Sequence, residues 1–198
     1  MNERLRPGAI PSPVFELCRE LEKRGHRAWI VGGCLRDLLR GRPSADWDLA
    51  TSARPEQVQA AFPRVFPTGI QHGTVTVRHR GQNYEVTTLR GEGAYSDGRR
   101  PDSVQFVDSI EADLARRDFT INAMAYDPVS DRLVDPFGGL RDLDAGIIRA
   151  VGKAEERFSE DGLRVLRAAR FAATLEFELA PETEAAVRPT LGTFRRVS

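Results

Sequence analysis

Asp46-Trp47-Asp48 places two carboxylates two residues apart. On a strand, residues i and i+2 share a face, so both acids point one way and Trp47 points into the core. Two carboxylates on one face repel each other unless a cation sits between them. Mg²⁺ takes a few carboxylate oxygens and completes its shell with phosphate and water. Such a pair can hold one or two Mg²⁺ ions; two ions roughly 3.5–4 Å apart activate an attacking hydroxyl and stabilise a leaving pyrophosphate. A bare Asp-x-Asp is equally an ordinary solvated strand end, so the assignment rests on its neighbours.

Gly32-Gly33 lies upstream, between an apolar run and a short helical segment. A glycine pair there lets backbone N–H groups approach a phosphate at a helix N-terminus; alone it is also a plain tight turn. Arg36 follows, placed to reach a phosphate or to stand in solvent. Glu85, flanked by Tyr84 and Val86, faces away from their apolar side. It is a third acid if its strand neighbours that of Asp46, and an exposed strand glutamate otherwise.

Downstream, Arg116-Arg117-Asp118-Phe119-Thr120-Ile121-Asn122-Ala123 mixes groups for phosphate and for hydroxyl. Arginines grip a triphosphate. Asp118 can accept from a ribose hydroxyl, or simply cap a helix, and Asn122 can bridge ribose or phosphate. Glu160-Asp161-Gly162-Leu163-Arg164 then opens a helix continuing through Arg167 and Arg170. Asp161 and Arg164, three apart, neighbour each other on the helix surface. They form either a local ion pair or a base-reading pair. A carboxylate accepts from an exocyclic amine, and a guanidinium donates to the ring acceptor beside it. Such a pair admits CTP and ATP and rejects UTP and GTP.

The elements that must carry these groups follow from pattern and punctuation. Ser12-Pro13 opens a helix with Phe15, Leu17, Cys18 and Leu21 as its apolar face and Gly25 at its end. Residues 28–31 and 46–50 read as strands, 35–40 and 55–61 as helices. Residues 74–79 and 84–89 form a hairpin about Gly81, and 90–103 a loop. Residues 110–117 and 119–125 read as helix, 133–134 as strand, 135–139 as a turn. Helices are expected over 154–177 and from 181 onward. The fold class is therefore α+β, with a strand-rich head over residues 1–140 and a helical neck over residues 141–198.

Composition narrows the function classes. The chain has 198 residues and a formal net charge of zero, so no global field draws it to nucleic acid. Arginine dominates the basic residues, with Lys23 and Lys153 the only lysines. Cys18 and Cys34 lack any metal-binding spacing, so zinc is not expected, and two isolated cysteines fit a reducing, cytoplasmic setting. No apolar run reaches membrane-span length, so no membrane partner is expected. The three histidines read as surface or strand-edge residues, and Trp29 and Trp47 as core.

Taken together, Gly32-Gly33-Cys34-Leu35-Arg36-Asp37, Asp46-Trp47-Asp48, the motif from Arg116, Asp135-Pro136-Phe137-Gly138-Gly139 and Glu160-Asp161-x-x-Arg164 resemble the class II tRNA nucleotidyltransferase and bacterial poly(A) polymerase family. The resemblance runs over residues 28–171. It implies a nucleotidyltransferase head with a mixed sheet flanked by helices, and a neck that binds the incoming base. It also implies metal ligation by Asp46 and Asp48, with Glu85 in the third-acid position. By the same likeness Gly32, Gly33 and Arg36 contact the triphosphate, and Arg117, Asp118 and Asn122 contact ribose and phosphates. Asp161 and Arg164 would select the base, supported by Glu160, with Arg167 on the same nucleotide-facing helix. Residues 135–139 would form the joint between head and neck.

The implied reaction is Mg²⁺-dependent, untemplated addition of CMP and AMP, from CTP and ATP, to a tRNA 3′ end. A-adding, CC-adding and poly(A)-adding branches remain alternatives. A full-length loop over residues 93–101 argues against the CC-adding one, and the stretch over 120–125 against poly(A) addition. A catalytically silent RNA- or nucleotide-binding module is the rival from another class, and retention of both acids argues against it. The family continues into helices that hold the tRNA, and Arg196-Val197-Ser198 resembles the start of its next motif, so a shortened chain is expected.

Overall fold

The computed structural model describes residues 5, 8–91 and 104–195. A seven-stranded sheet forms the centre, with strand order β3-β4-β5-β2-β1-β6-β7. Its strands are β1 (Ala28–Val31), β2 (Asp48–Thr51), β3 (Val65–Gly69), β4 (Thr74–His79), β5 (Gln82–Thr88), β6 (Ala125–Asp127) and β7 (Arg132–Val134). Among the described pairings of this sheet only β2 and β5 run parallel, which makes it mixed.

All four residues of β1 are buried, because the strand is covered on both faces. Ala28 and Ile30 join the main core with Leu17 and Leu21 of α1 (Ser12–Lys23), Leu35 of α2 (Gly32–Leu39) and Val58 of α3 (Pro55–Ala61). Trp29 and Val31 face a smaller cluster with Ile110 and Leu114 of α4 (Ile110–Ala115). The β4–β5 turn is made by Arg80 and Gly81, both with positive φ, the geometry that matches strand twist in a tight hairpin.

After the sheet come α5 (Gly139–Ala145), α6 (Ala154–Glu160), α7 (Leu163–Leu175), α8 (Pro181–Ala185) and α9 (Val187–Phe194), with a small parallel pair, β8 (Ile147–Ile148) and β9 (Glu178–Leu179). These helices share the main core: Phe119 packs edge-on against Phe158 of α6 and Phe171 of α7, at centroid distances of 6.4 and 5.8 Å.

Several expectations are corrected. Residues 119–125 are not helical; a 3-10 turn over Thr120–Asn122 leads into β6, which pairs with β1. Every residue of the segment is buried, so no exposed face sets a period, and helix and strand stay undecided until an open sheet edge claims it. The second strand starts at Asp48, so Asp46 lies ahead of it, exposed. The second helix starts at Gly32 itself rather than at residue 35.

Phe15 is exposed and Val14 takes its place on the buried face of α1. The edge strand β3 went unread because Pro67 and the exposed Phe66 break its alternation, and an edge strand tolerates both. Beyond the expected turn, α5 forms because both carboxylate oxygens of Asp135 accept from the backbone N–H groups of Gly139 and Leu140, at 2.6 and 2.9 Å. Glu160 closes α6 rather than opening the next helix; α7 begins at Leu163, whose N–H donates to Asp161 Oδ1 at 2.9 Å. The loop over 93–101 and the terminal Arg196-Val197-Ser198 lie outside the described residues.

Candidate active site

One rung of the sheet sets the site. Val31, Asp48 and Glu85 are successive partners across β1, β2 and β5. Asp48 shares its face with Ala50 by alternation, and Glu85 with Thr87, and all four line one cleft of about 550 Å³. The opposite wall is Asp161, just ahead of α7, with Arg164, Arg167 and Phe171 of α7, and the floor between is the segment after α4. Seven arginines and five acids line this cleft among the described residues, a balance that suits a polyanionic ligand held together with cations.

Burial, the charges of Glu85 and the nearby Asp46 all push the Asp48 carboxyl above its ordinary pKa, and Arg117 only partly offsets them. This is the repulsion expected of hard oxygen donors gathered for a cation. Among the described residues no three His, Cys, Asp or Glu side chains form a metal cage. Asp48 with Glu85 and Asp46 nevertheless fits Mg²⁺, which commonly uses one or two carboxylates and draws its other oxygens from substrate phosphate and water. The strand start is held from behind: the Asp48 N–H donates to Cys34 Sγ at 3.4 Å, and the Cys34 thiol donates to the Val31 carbonyl at 3.0 Å. Burial raises that thiol to about 11, so it stays protonated and can donate.

Gly32 takes φ +73° at the first position of α2. A Cβ there would sit 3.5 Å from both Asp48 Oδ2 and Arg117 Nη1, so the bare backbone faces the gap between carboxylate and guanidinium. Gly33 opens toward Arg36. Arg36 is buried and already engaged: its guanidinium forks onto Asp37 and donates to Asn122 Oδ1 at 3.0 Å. Asn122 is likewise buried, and Arg36 stacks 5.4 Å from the Phe171 ring centroid.

Asp118 bridges two elements, accepting its neighbour's N–H on Oδ1 and Arg167 Nε on Oδ2 at 2.6 Å. Arg164 is pinned on several sides. Its guanidinium donates to Glu160 Oε2 at 2.6 Å and to the carbonyls of Arg157 and Arg116. The expected site residues of the sheet, α2, the turn after α4, and α7 therefore converge on one cleft. Asp46 is not among the lining residues and acts on the cleft through its charge on Asp48, and Glu160 stands behind Arg164.

Two contributors escaped the sequence reading. Asp113 lies under the arginines of the basic motif, and Phe171 carries Arg36, Arg167 and Arg170 around its ring at 5.4, 5.2 and 5.0 Å. The spacing of Asp113 to Arg116 and Arg117, three and four residues, was the available signal.

Comparison with known proteins agrees with this arrangement. Residues 28–149 match the poly A polymerase head domain. The CCA-adding enzyme of Geobacillus stearothermophilus is 53% identical over 171 residues, covering 86% of this chain and 42% of that protein. That of Lactobacillus johnsonii is 53% identical over 174 residues, covering 88% and 44%. Among solved structures, the Bacillus stearothermophilus CCA-adding enzyme in complex with CTP superposes with a TM-score of 0.88 at 46% identity, covering 98% of this chain and 46% of that one. The Thermotoga maritima CCA-adding enzyme complexed with tRNA gives 0.77 at 28% identity, covering 99% and 45%. The chain thus spans less than half the length of the relatives it matches. With the matched segment holding the Gly32 turn, the Asp48–Glu85 rung and the arginines after α4, the chain belongs to the poly A polymerase head domain family.

Proposed function

We propose that the chain is the catalytic part of a tRNA nucleotidyltransferase that adds CMP and AMP, from CTP and ATP, to the tRNA 3′ end, releasing pyrophosphate. The observation that carries this reading is the cleft with Asp48 and Glu85 on its sheet wall, Asp161 and Arg164 on its helical wall, and arginines between. The relatives named as CCA-adding enzymes, and the solved ones bound to CTP and to tRNA, point the same way.

Within it, Asp46 and Asp48 would hold Mg²⁺, with Glu85 beside them. The ion supplies activation of the 3′-hydroxyl and charge neutralisation at the phosphates. Gly32 and Gly33 let the triphosphate approach the α2 backbone, and Arg36 and Arg117 neutralise it. Arg117 Nε is buried with no hydrogen-bond partner among the described residues, an arrangement that calls for an acceptor such as a phosphate oxygen. Asp118 and Asn122 would meet the ribose, and Asp161 and Arg164 the base, with Glu160 and Arg167 fixing their surroundings.

Residues 1–140 serve as head and 141–198 as neck in this reading. Among the described residues no helix is long and apolar enough to cross a membrane. Cytoplasmic placement is part of the proposal, supported by two buried, unbridged cysteines.

The test is incorporation of each labelled NTP, alone and mixed, into tRNA ending before CCA, tRNA ending in CC, and an unrelated oligonucleotide. Stepwise addition of C, C and A to the first is expected. Addition confined to A, to C, or extended as poly(A) reassigns the branch. No incorporation by this chain or by one extended to the relatives' length overturns the reading.

A further inference from the structure

We infer that Asp113 is a positioning residue that aims Arg117 at the triphosphate and, through Arg116, holds the base-reading Arg164. The inference rests on the nucleotidyltransferase reading and adds to it a residue that touches no substrate.

Asp113 sits on the last turn of α4 and is 1% exposed. Its two oxygens divide the work. Oδ2 accepts from Arg117 Nη2 at 3.0 Å. Oδ1 accepts from Arg116 Nη2 at 2.9 Å, from Arg116 Nε at 3.2 Å and from the Arg90 backbone N–H at 3.2 Å. Burial alone would raise this carboxyl, but the two guanidinium charges and the Arg90 amide keep it below the ordinary value, so it is ionised at neutral pH.

The two arms lead to different parts of the cleft. Arg117, held by Asp113 at one nitrogen, presents Nη1 to the Gly32 turn opposite Asp48, where a triphosphate would lie. Arg116 turns its side chain inward to Asp113 and to the Arg90 carbonyl at 2.9 Å, while its own carbonyl accepts from Arg164 Nη2 at 3.1 Å. Arg116 therefore connects the triphosphate end of the cleft to the base end, and Asp113 is its anchor. A long arginine side chain loses considerable rotamer freedom when fixed, and a buried carboxylate that fixes two at once meets that cost before the nucleotide arrives.

The experiment is calorimetric titration of the 198-residue chain and its Asp113→Asn variant with CTP, UTP and CMP, each with Mg²⁺ and no RNA. Asparagine keeps the shape and one acceptor but removes the charge. CTP affinity is expected to fall about tenfold and CMP affinity only by the smaller factor by which the preference for CTP over UTP narrows. Equal loss for CTP and CMP, or no loss, overturns the inference, because a merely structural role moves both together. An unchanged CTP-to-UTP ratio overturns the arm through Arg116. If Asp113→Asn does not fold, Asp113→Glu, which keeps the charge on a longer arm, carries the same comparison with the same outcomes. A wild-type chain that binds none of the three nucleotides overturns the underlying reading instead, which separates the two failures.

Discussion

Asp48 of β2 and Glu85 of β5 stand in direct register across a parallel strand pair, while every other described pairing in the seven-stranded sheet is antiparallel. The parallel step needs a crossover, which α3, β3 and β4 supply between the two strands. That crossover brings a glutamate 37 positions along the chain beside the aspartate that follows Trp47. Burial first, and then the repulsion between the two charges, raise the pKa of Asp48.

Replacing Asp48 should therefore separate stability from function. Asp48→Asn removes a half-buried charge from a repulsive group, so the metal-free chain is expected to melt no lower than wild type. A gain of up to about 2–4 °C is the shift that ~1 kcal/mol gives in a chain this long. Nucleotide incorporation should fall by at least about a thousandfold, because metal-ion catalysis is worth several kcal/mol and each ~1.4 kcal/mol is tenfold. Thermal melts in a chelator, beside single-turnover assays, check both. A lowered melting temperature with activity retained would remove Asp48 from the metal site.

The pH dependence follows from the same pair. A carboxyl with a raised folded pKa takes up a proton more readily folded than unfolded. Ionising it therefore costs stability as pH rises through the raised value, and metal binding loses its ligand as pH falls through it. The acid limb of Mn²⁺ binding should lie above the ordinary aspartate range, near 3.9. Glu85→Gln removes one source of the rise, so the limb should move to lower pH even if overall affinity drops. An unmoved limb in paramagnetic titrations would mean that Glu85 does not act on Asp48.

Phe119 is the packing link between the sheet and the later helices, fully buried and edge-on to Phe158 and Phe171. Phe119→Ala is expected to cost about 3–5 kcal/mol, the range for truncating a buried phenylalanine. If sheet and helices form one cooperative unit, circular dichroism and tryptophan fluorescence, reporting on Trp29 and Trp47, should melt together. Separate transitions would show that the helices past residue 140 unfold on their own.

Much of this architecture is readable from residue order, and the exceptions share a cause. β1, α3 and β4 appear at the expected bounds because each has a local signature: an apolar strand before Gly32, a proline-started helix, and an alternating run before the Arg80-Gly81 turn. Asp48, Glu85, Arg117 and Asp161 stand out by type and spacing, and all four line the one cleft. What stayed hidden depends on distant partners. β6 exists because β1 has an open edge, and α5 because Asp135 folds back onto two amides. Asp113 shows locally only as an acid three and four residues before Arg116 and Arg117; that the Arg90 amide, 23 residues upstream, reaches the same oxygen as Arg116 does not show. No local pattern carries such a meeting.

Asp161 has two roles that one substitution can confuse and two can separate. Its Oδ1 accepts the Leu163 N–H and so starts α7, which carries Arg164 and Arg167. In the proposed function the same carboxylate accepts from the base's exocyclic amine. Asp161→Ala removes both, and the lost cap alone is worth about 0.5–2 kcal/mol. Asp161→Asn keeps a good cap acceptor but replaces the other oxygen with an N–H donor, reversing its preference along the base edge. Uracil presents an acceptor where cytosine presents the amine. Asp161→Asn should therefore melt near wild type, lose CTP incorporation by about tenfold or more, and gain UTP incorporation relative to CTP. Competition assays with equal CTP and UTP on tRNA lacking CCA read the ratio directly. If Asp161→Asn keeps full discrimination, the carboxylate is a helix cap alone, and the choice of base must lie with Arg164 and the backbone that holds it.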